Sequence, residues 1–198
     1  FGLDGTPKRI IGGPGSGPIC VTAELAAYLP DPLIEKEGDE FRAVRPSKSV
    51  GKLRAWHGNF LVLVRAYAYI KRLGAEGMRR VAENAVLNAN YLRMKCHQHW
   101  RVPYDRICMH EFVARPTKAM RANGVHTIDI AKRIIDKGFH PPTVYFPLVV
   151  NEAIMVEPTE TESKETLDAF ADAMAEIAVE ALAGDPCLHA APSAMPVT

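Results

Sequence analysis

The stretch Gly12-Gly13-Pro14-Gly15-Ser16-Gly17-Pro18 is the part of this 198-residue chain best suited to hold an anion. Glycine permits positive φ and close backbone approach, proline blocks helix, and successive N–H groups of such a loop can cradle a phosphate. It is no P-loop: the Gly-Lys-Ser/Thr ending is missing, and no G-x-G-x-x-G occurs. On spacing alone an ordinary connecting loop is the simpler reading. A second group is Cys96-His97-Gln98-His99, with Cys108 and His110 beyond it. Zinc takes cysteine and histidine as tetrahedral ligands, but this spacing matches no standard finger and the two histidines fall at a helix end. No metal site is expected there. His110 and Glu111 could pair across a cleft. The run Glu157-Pro158-Thr159-Glu160-Thr161-Glu162 invites metal or acid/base chemistry, yet a capping box of Thr159 and Glu162 explains it with less. Lys48, Lys52 and Arg54 could meet a phosphate or an acidic partner, with a solvated loop as the plainer reading. His57 could titrate near a substrate or serve structure.

The elements that must position these groups are organised around Gly58–Leu92, inside the longest span without proline, 47–102. Asn59 is a good N-cap. From Phe60 to Ile70 the chain is apolar almost all round, broken only by Arg65, which predicts a helix buried on most sides with Arg65 in a buried pair. Gly74-Ala75-Glu76-Gly77 splits it. Met78, Val81, Ala82, Ala85, Ala89 and Leu92 then recur at helical spacing, opposite Arg79, Arg80, Glu83 and Arg93.

Before this span, Ile19-Cys20-Val21 reads as a short strand, Glu24–Tyr28 as a short helix, and Asp31–Arg54 as a polar surface excursion. After it, Arg106–Ala114 reads as a strand central in a small sheet. A helix follows, capped by Thr127, with Asp129 in its first turn and Ile128, Ala131, Ile134 and Ile135 inward; Lys137 and Gly138 end it. Thr143–Val150 and Ala153–Val156 read as adjacent strands around Pro147. The last helix buries Leu167, Phe170, Met174, Ile177 and Ala181, and a proline-bearing surface strap follows Gly184.

This length allows one large domain or two small ones. A net charge of +1 and the lack of any basic run of five give no argument for nucleic acid or a membrane surface. No apolar stretch approaches a membrane span, and Phe1–Pro7 has no signal-peptide character. Four scattered cysteines without C-x-x-C read as reduced thiols in a reducing compartment.

Several motifs closely resemble the C-terminal part of the glycine cleavage system P-protein family, glycine dehydrogenase (decarboxylating), in its split-subunit form (subunit 2). They are Gly58-Asn59-Phe60, Leu61–Ile70, Ala82-Glu83-Asn84-Ala85-Val86-Leu87-Asn88-Ala89-Asn90-Tyr91-Leu92, Cys108-Met109-His110-Glu111-Phe112-Val113, Gly138-Phe139-His140-Pro141-Pro142-Thr143 and Glu157–Lys164. The resemblance covers residues 12–197. It implies an α/β chain: the end of a large domain over 1–58, linking helices over 59–98, and the C-terminal small domain of a fold-type I pyridoxal-phosphate enzyme over 99–198.

It also implies a pyridoxal 5'-phosphate cofactor, decarboxylation of glycine, and transfer of the aminomethyl group to the lipoyl arm of H-protein. The partners would be P-protein subunit 1, lipoylated H-protein and glycine, in a cytoplasmic hetero-oligomer without nucleic acid or membrane. In the family the Gly-rich segment, here Gly12, Gly13, Gly15 and Gly17, lines the cofactor side of the active site and follows the Schiff-base lysine.

The family's His-Lys-Thr approach is replaced here by Thr6-Pro7-Lys8-Arg9-Ile10-Ile11, and Lys8 lies past the expected position. The chain is therefore expected to begin beyond the lysine, to contain no catalytic residue, and to be inactive alone. From charge and position, Arg106 or Arg115 is a candidate to face a carboxylate. The alternatives are a catalytically incomplete fragment or interaction module, and a different fold-type I enzyme; the Gly-Asn-Phe and Glu-Pro-Thr-Glu-Thr-Glu matches argue against the latter.

Overall fold

A computed structural model of the chain describes residues 19–53 and 58–193. The chain divides into two compact units, 1–72 and 73–198.

In the first unit, Thr22 in extended conformation precedes a single-turn helix α1, Ala23–Ala26. Strand β1, Leu33–Glu37, pairs antiparallel with β2, Glu40–Val44, in the register Leu33↔Val44 through Glu37↔Glu40. Gly38 opens the two-residue connection at φ 62, a backbone conformation that L side chains adopt with strain and glycine without it. The hairpin lies within the polar surface excursion read over 31–54 and gives it a regular structure that was not expected. Its strands are charged on both faces, so they show none of the alternation that marks a half-buried strand, and nearly every residue in them is exposed. Ile19-Cys20-Val21 does not form the expected strand.

Helix α2, Phe60–Cys96, runs for 37 residues and is broken at Gly74, with φ 65 and ψ −176. The split expected there is found. The burial expected before it is not: Phe60, Leu61, Leu63, Val64, Tyr67, Tyr69 and Ile70 are all exposed, and of 60–70 only Ala66 is buried. Arg65 is exposed too, not in a buried pair. Apolar composition fixes which side chains gain by burial, but covering them takes neighbours that the described residues do not supply.

The second unit is an α/β layer. Strands β3 (Phe112–Ala114), β4 (Thr143–Val144) and β5 (Ile154–Val156) form an antiparallel sheet in the order β3-β5-β4. The central strand is therefore β5, whose three residues are all buried, and not the 106–114 segment, whose strand is short and lies at an edge. Helices α3 (Lys118–Ala122), α4 (Thr127–Asp136), α5 (Lys164–Ala183) and α6 (Cys187–Ala190) complete it, with α3 and α4 against α5 and α6 against α4. Leu92, Trp100, Ile130, Ile154, Met174 and Ile177 lie in one core. Trp100 also donates its indole N–H to the Met174 carbonyl at 3.1 Å, which satisfies its polar edge inside that core.

Within α2 the buried stripe is Ala85, Ala89, Leu92 and Cys96, one residue set further along than expected. Met78 and Ala82 are exposed, and Arg93 is buried against Asp105 at 2.7 Å. The N-cap of α4 is His126, not Thr127, and its buried face is Thr127, Ile130, Ala131 and Ile134, with Ile128 exposed. The cap of α5 is Ser163, whose hydroxyl accepts from Thr166 N–H at 3.2 Å, not Thr159. Lys137 and Gly138 do close α4, Gly138 at φ 83. The segment after Gly184 is no mere strap: α6 buries Leu188 completely.

Candidate functional site

Two asparagines on one turn of α2 hold two loops. Asn90 donates its Nδ2 to the Cys108 carbonyl at 2.7 Å and accepts the Cys108 N–H on Oδ1 at 3.0 Å, so its amide matches that peptide on both sides. Asn88 donates to the Thr159 carbonyl at 2.9 Å and the Glu162 carbonyl at 3.4 Å. The first loop leads into β3 and the second leaves β5. Register pairs Phe112 with Val156, so Glu111 and Glu157 sit at the same end of the ladder, just beyond its last pair. His110 Nε2 lies 3.6 Å from Glu157 Oε1 and 3.9 Å from Glu111 Oε2. All three side chains are half-buried. An imidazole and two carboxylates so placed can hold a proton or a cation.

Beside this junction, α2 and the incoming loop form a shallow open groove of about 650 Å³, lined by residues that include Val86, Leu87, Asn90, Met94 and Ile107. Ile107, Leu87 and Met94 leave it an exposed apolar rim.

The structure does not gather the Cys/His group of the sequence. His97 and His99 lie in the turn after α2, exposed, with His97 Nε2 3.2 Å from Asp105. Cys96 is buried inside the core, which pushes its thiol up to about 12, and burial raises Cys108 as well; thiols so protonated make poor ligands. All four cysteines are free. His110 instead joins Glu111 and Glu157, the pairing across β3 and β5 that linear spacing hides; the only signal was two acidic motifs flanking two strands. Arg106 is exposed in the loop before β3, and Arg115 follows β3, bridged through its backbone to Arg101. Among the described residues, the ion pairs of the His110 cluster include neither arginine. Lys48 lies over the Tyr28 ring at 5.4 Å. Gly12, Gly13, Gly15, Gly17, Lys8, Arg54 and His57 lie outside the described residues.

A further cluster ties α2 to α5: Asp168 accepts from Tyr91 Oη, from Lys95 Nζ at 2.7 Å and from Lys164 Nζ at 2.6 Å. Those hydrogen bonds, Lys164 first, hold its carboxyl below the ordinary range. No helix among the described residues is long and apolar enough to cross a membrane.

Residues 81–186 match the family model described as glycine dehydrogenase, C-terminal domain. The chain is 56% identical over 183 residues to a probable glycine dehydrogenase (decarboxylating) subunit 2 of Chlorobium chlorochromatii, covering 92% of this chain and 38% of that protein. It is 51% identical over 187 residues to the protein so described from Thermotoga maritima, covering 94% of this chain and 40% of that one. The chain thus spans about two fifths of the length of these curated relatives. A crystal structure of glycine decarboxylase (P-protein) of the glycine cleavage system, in inhibitor-bound form, shares the α/β fold at TM-score 0.62 and 20% identity, over 78% of this chain and 37% of that one. Most of the second unit lies within the matched domain, and the chain belongs to the glycine dehydrogenase C-terminal domain family.

Proposed function

We propose that this chain is the C-terminal part of a pyridoxal-phosphate-dependent glycine decarboxylase. It works with P-protein subunit 1 and lipoylated H-protein in a cytoplasmic hetero-oligomer, with residues 1–58 ending a large domain, 59–98 linking, and 99–198 forming the small domain. The observation that carries this reading is the junction on α2. Three of the family-like motifs, remote in sequence, are held together by Asn88 and Asn90.

An imine-forming lysine needs an amine that gives up its proton readily. Lys95, Lys137 and Lys164 are all raised instead, by hydrogen bonds to Asp168, Glu176 and Asp168 respectively. No step through pyridoxal phosphate is therefore assigned to them. In the proposed assembly the lysine comes from outside 19–193, and the exposed apolar side chains of Phe60–Ile70 are covered by protein that these residues do not include.

The test has two arms. The chain treated with pyridoxal phosphate and borohydride should keep no reduced adduct. Grafted in place of the matching part of the Chlorobium relative, it should support glycine-dependent CO₂ exchange with subunit 1 and lipoylated H-protein. An adduct on the chain alone, or a folded graft without exchange, would overturn the proposal.

A further inference from the structure

We propose that His110, Glu111 and Glu157 form a zinc-binding site. It is a feature of the small domain's own sheet and does not depend on the activity argued above. The first ground is spacing. Zinc holds nitrogen and oxygen ligands at about 2.0–2.2 Å, so two donors on a tetrahedral ion stand about 3.4 Å apart. His110 Nε2 stands 3.6 Å from Glu157 Oε1 and 3.9 Å from Glu111 Oε2, and the donor atoms of the three residues all lie within 4.8 Å of one another. Small side-chain shifts, of at most about 1.5 Å, bring three ligands onto one ion and leave the fourth position open.

The second ground is charge. Two half-buried carboxylates facing one another repel unless a cation lies between them. Among the described residues, the ion pairs of Glu111 and Glu157 go to His110 alone, with no lysine or arginine. A divalent ion balances both carboxylates while the imidazole binds as a neutral ligand. The donor set selects the metal class: one imidazole with two carboxylates suits zinc and its transition-metal neighbours, whereas calcium takes six to eight oxygens and magnesium keeps mostly water.

The third ground is preorganisation. The backbone two residues before His110 is clamped by Asn90, and that two residues after Glu157 by Asn88. Both ligand-bearing strand ends are thus fixed to one helix before any ion arrives.

The experiment uses the 198-residue chain, reduced and metal-stripped, in equilibrium dialysis against Zn²⁺, followed by Co²⁺ substitution and visible spectroscopy. The expected result is one equivalent of Zn²⁺. Affinity should fall about tenfold or more in Glu157→Gln and in His110→Asn, by analogy with the losses on disturbing a metal's ligand shells. A His97→Ala/His99→Ala double variant should keep it, since those exposed histidines are the alternative source of binding. Glu111→Gln, at the most exposed of the three ligands, serves if Glu157→Gln does not fold by circular dichroism. A thiolate-to-cobalt charge-transfer band would place cysteine in the coordination set and overturn the assignment. So would wild-type protein that retains no zinc, or a folded Glu157→Gln that binds as wild type does.

Discussion

At the scale of single residues, Glu152 carries the sharpest energetic consequence. It sits at φ 58, in the left-handed region, and its carboxylate is turned onto the start of α4. Oε2 accepts the Thr127 N–H at 2.7 Å, Oε1 lies 3.0 Å from His126 Nδ1, and its own carbonyl accepts the Thr127 hydroxyl at 2.9 Å. A residue remote in sequence thereby caps a helix, with its negative charge against the positive end of the dipole. Burial alone would raise its pKa, but the Thr127 and His126 bonds outweigh that and hold it below the ordinary 4.5. Glu152→Gln should therefore cost about 1–3 kcal/mol in urea unfolding at neutral pH. Because the folded pKa is lowered, this contribution is complete above the ordinary value and disappears as pH falls through the lowered one. The gap between wild type and variant should close in acid; a gap that stays constant on acidification would show that the carboxylate's charge is not its source. Asn90→Ala tests the neighbouring clamp. It strips both partners from the Cys108 peptide, so amide exchange at Cys108 should speed up and unfolding should become easier by about 1–3 kcal/mol.

At the scale of elements, Gly74 is the position where composition and conformation meet. Its φ of 65 with ψ −176 is a region left almost wholly to glycine, although a Cβ there would meet nothing within 4 Å. Gly74→Ala should thus cost about 1–3 kcal/mol through the backbone alone, read from the denaturation midpoint. A variant as stable as wild type would mean that the helix runs straight at no cost. The break was legible in the sequence because a Gly-x-x-Gly interrupts an otherwise good helix. The buried stripe of α2 was legible for Ala85, Ala89 and Leu92, which keep three- and four-residue spacing, but not for Arg93, whose burial depends on Asp105 in a distant loop. Caps at His126 and Ser163 were missed by one and four residues, since several Thr, Ser and Glu residues offered equivalent local chemistry and tertiary contacts chose among them. The order β3-β5-β4 was not legible, because strands of two and three residues hold too little pattern to rank as edge or centre.

At the scale of the whole molecule, the two units differ in how far they satisfy themselves. Unit 73–198 encloses a core around Ile130, Ile154 and Ile177, whereas the Phe60–Ile70 part of α2 and the β1–β2 hairpin keep Leu61, Tyr67, Ile34 and Phe41 in solvent. The isolated chain should self-associate through such apolar patches. Leu61→Ser with Tyr67→Ser should reduce the sedimenting mass without shifting the unfolding transition of the 73–198 unit, because both side chains are exposed. Loss of that transition would mean that Leu61 and Tyr67 support the core after all. The family was legible in the motifs, and the family model over 81–186 spans those from Ala82 to Lys164. The glycine loop expected to face a cofactor lies outside the described residues, so its part in the site stays with the proposed assembly.

The pair of asparagines on α2 also sets a mechanical relation. Residues two apart on an α-helix are separated by about 3 Å along the axis and about 200° around it. A sliding of α2 along its own axis would carry both clamped loops the same way and leave the spacing of Glu111 and Glu157 unchanged. A rotation about that axis would pull the loops in opposite senses, against the Phe112–Val156 pairing that ties the two strand ends together. The carboxylate pair is thus held by two separate ties, the sheet ladder and the asparagines of α2.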